Sequence, residues 1–139
     1  MKKKTARGLR NNNPGNIRIN TDKFEGEIRP SSDVSFKQFR NMAYGYRAIM
    51  KTLQTYAKKY KLTTLNQWIY RWAPPEDDNE TEAYVSFVSK FAKLNPDEPI
   101  DCENKELMCL IAAAISQQET GKVADMADVR VGWTLLVGR

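Results

Sequence analysis

The sequence predicts an α+β fold that is mainly α, a helical domain with a small β-hairpin region near its N-terminus. Two patterns and the length carry this. Residues 11–40 are rich in Asn, Pro, Gly, Ser and Asp between short apolar stretches, the composition of turns and short strands. From Asn41 onward apolar residues recur at i, i+3 and i+4, the period of amphipathic helices. At 139 residues the chain is one domain with enough length to bury a core.

The first element is a turn. Asn11-Asn12-Asn13-Pro14-Gly15-Asn16 makes a poor helix and a poor strand. Asn side chains bond nearby backbone and tolerate positive φ, Pro14 fixes φ, and Gly15 permits φ > 0. Flanked by Arg7, Arg10 and Arg18, this turn is also equipped to bind a polar or anionic ligand. Residues 17–19, 24–28 and 34–39 follow as short candidate strands, separated by Asn20-Thr21-Asp22 and Arg29-Pro30-Ser31-Ser32-Asp33.

Four or five helices come next. Tyr46, Ile49, Met50, Leu53, Tyr56, Ala57 and Tyr60 place a helix over 42–60, with Asn41 as its cap. Thr63 or Thr64 caps a second, carrying Leu65, Trp68, Ile69 and Trp72 on one face and stopping at Ala73-Pro74-Pro75. Asn79 is placed to cap a third, with Tyr84, Val85, Phe87, Val88, Phe91 and Ala92 inside, ended by Asn95-Pro96. A fourth, roughly 104–119, is Ala-rich and apolar nearly all round, the pattern of a buried central helix, and Gly121 suits its C-terminal cap. The apolar stretch 123–139 favours a last short helix over a strand.

Composition excludes several chemistries. Without His, Ser-His-Asp and Cys-His nucleophiles and His-containing zinc sites are ruled out. Cys102 and Cys109 lie i,i+7, roughly 10 Å apart along a helix and too far for a disulfide; two buried thiols are expected, with no metal and no cofactor. The net charge of +5 resides in residues 1–10, where Lys2, Lys3, Lys4, Arg7 and Arg10 face no acid, while residues 11–139 balance. The expected organisation is therefore a basic arm, 1–10, and one domain, 11–139. The arm is either a solvated tail or a contact for a polyanion. No apolar run approaches the ~20 residues of a membrane span, and none follows the lysines as a secretory signal would require.

One carboxylate stands out. The apolar fourth helix ends Ser116-Gln117-Gln118-Glu119-Thr120-Gly121. A carboxylate in a last helical turn meets the negative end of the macrodipole, and partial burial adds to the resulting bias against ionisation. A general acid needs that property; a surface Glu at a frayed helix end is the plain alternative.

The stretch 111–121 resembles the helix of lysozyme-superfamily lytic transglycosylases, in which an apolar helix ends Glu-Ser-Gly and the Glu is the catalytic acid. Here Thr120 replaces Ser. Residues 80–88, Glu80-Thr81-Glu82-Ala83-Tyr84-Val85-Ser86-Phe87-Val88, are similar to the Glu-Thr-x-x-Tyr-Val helix of those enzymes, whose Tyr lies beside the acid. A third likeness is to phage-associated lysozyme-like proteins beginning Arg-Gly-x-Arg-Asn-Asn-Asn-Pro-Gly-Asn-Ile-Arg. They continue with a Phe-x-x-Phe hairpin (36–39), a Gly-x-Arg-Ala helix (45–48), and Trp-Ala-Pro-Pro…Asn-x-Thr-x-x-Tyr-Val (72–85). The likeness covers 7–121. Two departures accompany it. The β-like region here precedes the Glu119 helix, a circular permutation of the transglycosylase order, and Gln118-Glu119-Thr120-Gly121 stands where the phage proteins often have His-Glu-Asn-Gly.

The resemblance implies a lysozyme-like, monomeric enzyme that cleaves the glycan strands of peptidoglycan, as a lytic transglycosylase or a muramidase. Glu119 is its general acid and base; Tyr84, Asn13, Gly15, Asn16 and Thr120 bind substrate. An inverting hydrolase needs a second carboxylate ~6.5–9.5 Å away, for which Asp33 and Glu25 are the candidates; the Glu76-Asp77-Asp78 run reads as solvated surface. Trp72 and Tyr44 are either core or sugar-stacking aromatics. Such a protein is made in the cytoplasm without a secretory signal and acts at the cell wall after release, or within a virion. The rival readings are a non-enzymatic phage structural or interaction protein on the same scaffold, and a polyanion-binding module using the arm.

Overall fold

The computed structural model describes residues 6–138. Lys2, Lys3 and Lys4, the outer part of the predicted basic arm, lie outside the described residues. Among those described, the elements in order are α1 (Arg7–Arg10), β1 (Glu27–Ile28), β2 (Gln38–Phe39), α2 (Met42–Lys58), α3 (Leu65–Trp72), α4 (Thr81–Ala92), α5 (Lys105–Thr120) and α6 (Met126–Val137), with a 3-10 turn at Pro75–Asp77. The fold is mainly α with one small antiparallel hairpin, Glu27 opposite Phe39 and Ile28 opposite Gln38.

Each long helix starts where a side chain can accept an orphan N–H. Asn41 accepts from Tyr44 N–H, Thr64 closes a capping box with Gln67, and Asn104 and Asp125 cap α5 and α6. The exception is α4. Asn79 does not cap it; its Nδ2 donates instead to the Pro74 carbonyl at 3.0 Å, tying the Pro-Pro turn to the start of the helix. The segment 123–139 forms a helix within the described residues, α6, rather than a strand.

The core is the packing of α2–α6. Ile49, Met50 and Leu53 of α2, Leu65 and Trp68 of α3, Val88 of α4, Ile111 and Ile115 of α5, and Val129 of α6 are fully buried. α5 runs through the middle with eight of its residues buried, as its nearly all-round apolar pattern predicts. α2 lies against α6 so closely that a Cβ on Gly132 would sit 2.8 Å from the Ala43 carbonyl oxygen. Cys102 and Cys109 are buried free thiols.

The N-terminal part is different in kind. Of the three predicted strands only 24–28 and 34–39 supply paired segments, each shortened to two residues; 17–19 contributes a single bridge, Arg18 to Phe36. The remainder is held by side chains. Lys37 is fully buried, and its Nζ donates to both Glu27 carboxylate oxygens at 3.1 Å and to the Asp22 carbonyl at 2.7 Å. Burial pushes the Glu27 carboxyl up, but hydrogen bonds from the Phe24 N–H, Arg29 and Lys37 outweigh it and hold the group below its ordinary value.

Residues 7–10 are not part of a free arm. They form α1, whose Gly8 is buried against the Asn13 carbonyl and Thr120, and Arg7 pairs with Asp33 at 3.3 Å. The physical boundary of the domain therefore lies before residue 7. The sequence reading placed it at 10 because clustered arginines look the same whether solvated or paired.

Candidate active site

Three separate segments meet at one carboxylate. Glu119 sits in the last turn of α5, half-buried, and α5 stops two residues later because Gly121 takes the left-handed conformation (φ 76°). Tyr84 projects from the first turn of α4 and is 3% exposed. Its position is fixed at the helix start, where the Thr81 hydroxyl donates to the Ala73 carbonyl at 2.7 Å. The Tyr84 hydroxyl donates to Glu119 Oε2 at 2.9 Å. Asn16 Nδ2 donates to the other oxygen, Oε1, at 3.1 Å, across 103 residues of sequence.

Burial first, then the neighbouring Glu119 charge, push the Tyr84 phenol well above its ordinary value, while a hydrogen bond with the Trp72 side chain opposes the rise. The phenol is thus a fixed donor to the carboxylate at any working pH. Asn16 adopts a left-handed backbone (φ 49°), a conformation Asn reaches at lower cost than other side-chain-bearing residues. The rest of the Asn-rich turn is what enforces it. Asn13 is fully buried; its Oδ1 accepts the Ile17 N–H at 3.0 Å, and its Nδ2 donates to the Ile17 and Lys37 carbonyls at 2.9 Å each. Asn16 N–H in turn donates to the Asn13 carbonyl at 3.0 Å. Asn12 Nδ2 donates to the Phe39 carbonyl and Asn11 Nδ2 to Asp33.

The structure therefore separates the predicted site residues into two groups. Glu119, Asn16, Gly15, Trp72 and Glu25 line one open cleft of about 1270 Å³, beyond the ~300–1,000 Å³ of ordinary small-molecule pockets; Tyr84, expected to bind substrate, does not line it but is buried with its hydroxyl on Glu119. Asn13, Thr120, Asp33 and Tyr44 do not line it. Asn13 has its whole amide engaged internally. The Thr120 hydroxyl donates back to the Ser116 carbonyl at 2.8 Å, an intrahelical bond. Asp33 accepts from the Ser35 and Phe36 N–H groups, Asn11 and Arg7. These contacts, the Ser35 N–H foremost, hold its carboxyl below the ordinary value despite some desolvation, so it organises the hairpin loop. Tyr44 packs its ring on Gly26 and under Arg40.

Glu25 is on the cleft but pairs with Arg47 at 3.4 Å. Glu76, Asp77 and Asp78 are exposed, yet they lie on the rim of the same cleft rather than on remote surface. The sequence reading missed the opposite wall altogether. Lys51, Thr52 and Thr55 of α2 and Arg71 of α3 face the cleft. Their signal was the i, i+4 polar stripe of Arg47, Lys51 and Thr55, which any solvated helix face shares. Among the described residues no group of three or more Cys, Asp or Glu could hold a metal ion, and no helix is long and apolar enough to cross a membrane.

Chemically the arrangement offers one carboxylate with a donor on each of its two oxygens, lining a large open cleft. No family model matches the sequence. Protein P5 of Pseudoalteromonas phage PM2 is 38% identical over 119 residues, an alignment covering 84% of this chain and 72% of that protein.

Proposed function

The chain belongs to the family of Protein P5 of phage PM2, and from the geometry of its site we propose that it cleaves the glycan strands of peptidoglycan, with Glu119 as general acid. The observation that carries this reading is the convergence of Tyr84 and Asn16 on the two oxygens of Glu119 within an open cleft. A glycosidase acid must keep a fixed direction toward the leaving oxygen, and two donors on separate oxygens fix the carboxyl plane.

In the proposed reaction Glu119 gives its proton to the glycosidic oxygen as the C1–O bond breaks through an oxocarbenium-like state. The resulting carboxylate receives two hydrogen bonds, each charge-assisted and worth about 1.5–3 kcal/mol. In the transglycosylase course the same carboxylate then takes the proton of the sugar's 6-hydroxyl as that oxygen closes on C1, and no second carboxylate takes part. Engagement of Asp33 in the hairpin and of Glu25 by Arg47 favours this course over inverting hydrolysis. A phage origin for the relative and the lack of a membrane-crossing helix among the described residues fit action on the wall after release, or from a virion.

The test is release of soluble muropeptides from purified sacculi. Wild-type protein is expected to clear the wall and to leave anhydro ends by mass spectrometry, with Glu119→Gln at least about 10³-fold slower. Clearing that survives in Glu119→Gln overturns the acid assignment; no clearing by the wild type leaves the scaffold as a structural virion component.

A further inference from the structure

Among the described residues five cations line the cleft, Arg18, Lys23, Arg47, Lys51 and Arg71, and the last three belong to the α2–α3 side. Arg47, Lys51 and Thr55 form one stripe of α2, Arg71 comes from α3, and all four line the cleft. Arg47 is answered by Glu25. Lys51 and Arg71 pair with no carboxylate among the described residues, although Glu76, Asp77 and Asp78 line the same cleft.

Arg71 is also held in place. Its guanidinium lies 4.0 Å from the centroid of the Tyr60 ring and 5.3 Å from that of Tyr56. The two rings fix the position of the charge while leaving N–H donors for a ligand, a preorganisation that a solvated arginine lacks. Beside it, the Thr52 and Thr55 hydroxyls donate to helix carbonyls, so what they offer the cleft is acceptor oxygen and methyl surface.

A neutral polysaccharide would not need unmatched cations along its groove, since their field attracts anions and gives nothing to hydroxyl or acetamido groups beyond ordinary hydrogen bonds. We propose that Lys51 and Arg71 form a carboxylate-binding subsite, so that the cleft takes an anionic glycan, one whose sugars bear carboxylate substituents, in preference to a neutral one. In peptidoglycan that carboxylate comes either from the lactyl ether of muramic acid or from the peptide attached to it. This deepens the glycan-cleavage reading and rests on the same cleft.

Binding decides it without catalysis. Glu119→Gln protein is titrated calorimetrically with three probes of equal sugar length: a chito-oligosaccharide, an alternating glucosamine–muramic acid strand with free lactyl groups, and the same strand bearing peptides. Carboxylate-bearing strands are expected to bind about tenfold tighter than the neutral one. Raising the salt concentration should narrow that ratio. A gain already present with the free lactyl strand assigns the carboxylate to that group; a gain only with the peptide-bearing strand assigns it to the peptide. Adding Lys51→Ala and Arg71→Gln, both exposed positions, should bring the ratio toward one, and Lys51→Arg should restore part of it. Equal affinity for all three probes, or a ratio untouched by the double substitution, overturns the subsite. If wild-type protein fails to cut sacculi while the ratio holds, the enzymatic reading falls and the subsite stands.

Discussion

The two halves of the cleft are built by opposite means. The helical body, from α2 onward, is held by aliphatic and aromatic side chains such as Ile49, Trp68 and Ile111, each fully buried. The N-terminal part, residues 7–40, has a two-residue hairpin and buries polar groups instead, among them Asn11, Asn13 and Lys37. One wall is thus positioned by non-directional packing and the other by directed hydrogen bonds. The difference teaches where precision comes from. Glu119 and Tyr84 arrive on stiff helices, whereas Asn16 arrives on a turn whose every neighbour must be satisfied for it to hold its left-handed backbone.

Predictions follow from trying to break that contrast. The largest effect is expected at Lys37. Lys37→Ala removes the buried partner of Glu27 and leaves it only Arg29 and the Phe24 N–H, a loss of about 3 kcal/mol, read as a drop in thermal midpoint. A similar loss from an exposed lysine such as Lys105 would erase the distinction. Next is Gly45, where α2 touches the turn: a Cβ there would collide with the Asn12 carbonyl and the Pro14 ring. Gly45→Ala should cost about 1–3 kcal/mol and lower muropeptide release more than it lowers stability, because it pushes Asn16 away from Glu119.

Smaller, and confined to chemistry, is the pair Tyr84→Phe and Asn16→Gly. Each removes one donor to Glu119 without straining its backbone, and each should slow strand cleavage about 10–100-fold. If only Tyr84→Phe matters, the turn is a wall and not a clamp. The smallest effect is in pH. Glu27 is depressed in the folded state, so its contribution to stability is complete above its ordinary value of 4.5 and is lost as pH falls through the lower, folded value. Amide exchange in the hairpin should therefore accelerate at acid pH before exchange in α5 does; simultaneous loss of protection in both would unite the two halves.

What could be read in advance follows the same division. Apolar periodicity located α2, α3, α4, α5 and α6, since core packing leaves a repeating mark on sequence; polar residues before each run marked Asn41 as one cap and left Thr63 and Thr64 open for the next, where the structure uses Thr64. It gave no warning of α1, four residues long and without an apolar face, nor of the burial of Lys37, because a lysine paired indoors is spelled like one in water. At the site, Glu119 stands out by its place in the last turn of a buried helix and Tyr84 by resemblance, and their contact is not deducible from spacing. Asn16 and Asn13 looked equivalent; only the direction of each amide separates the one that reaches Glu119 from the one that shapes the turn. Lys51 and Arg71 were invisible for the reason that solvated helix faces are the rule.

The hydrogen bond between Asn16 and Glu119 also bears on how the protein comes into being. It closes one of the longest loops the chain contains, and such contacts are rewarded only after most of the conformational entropy between them has been surrendered. Helices α2 and α5 can form and collapse earlier on local interactions. A refolding chain should therefore acquire its helical signal first and the contact of Asn16 with Glu119 last, so that half-folded molecules carry the carboxylate without its assembled surroundings.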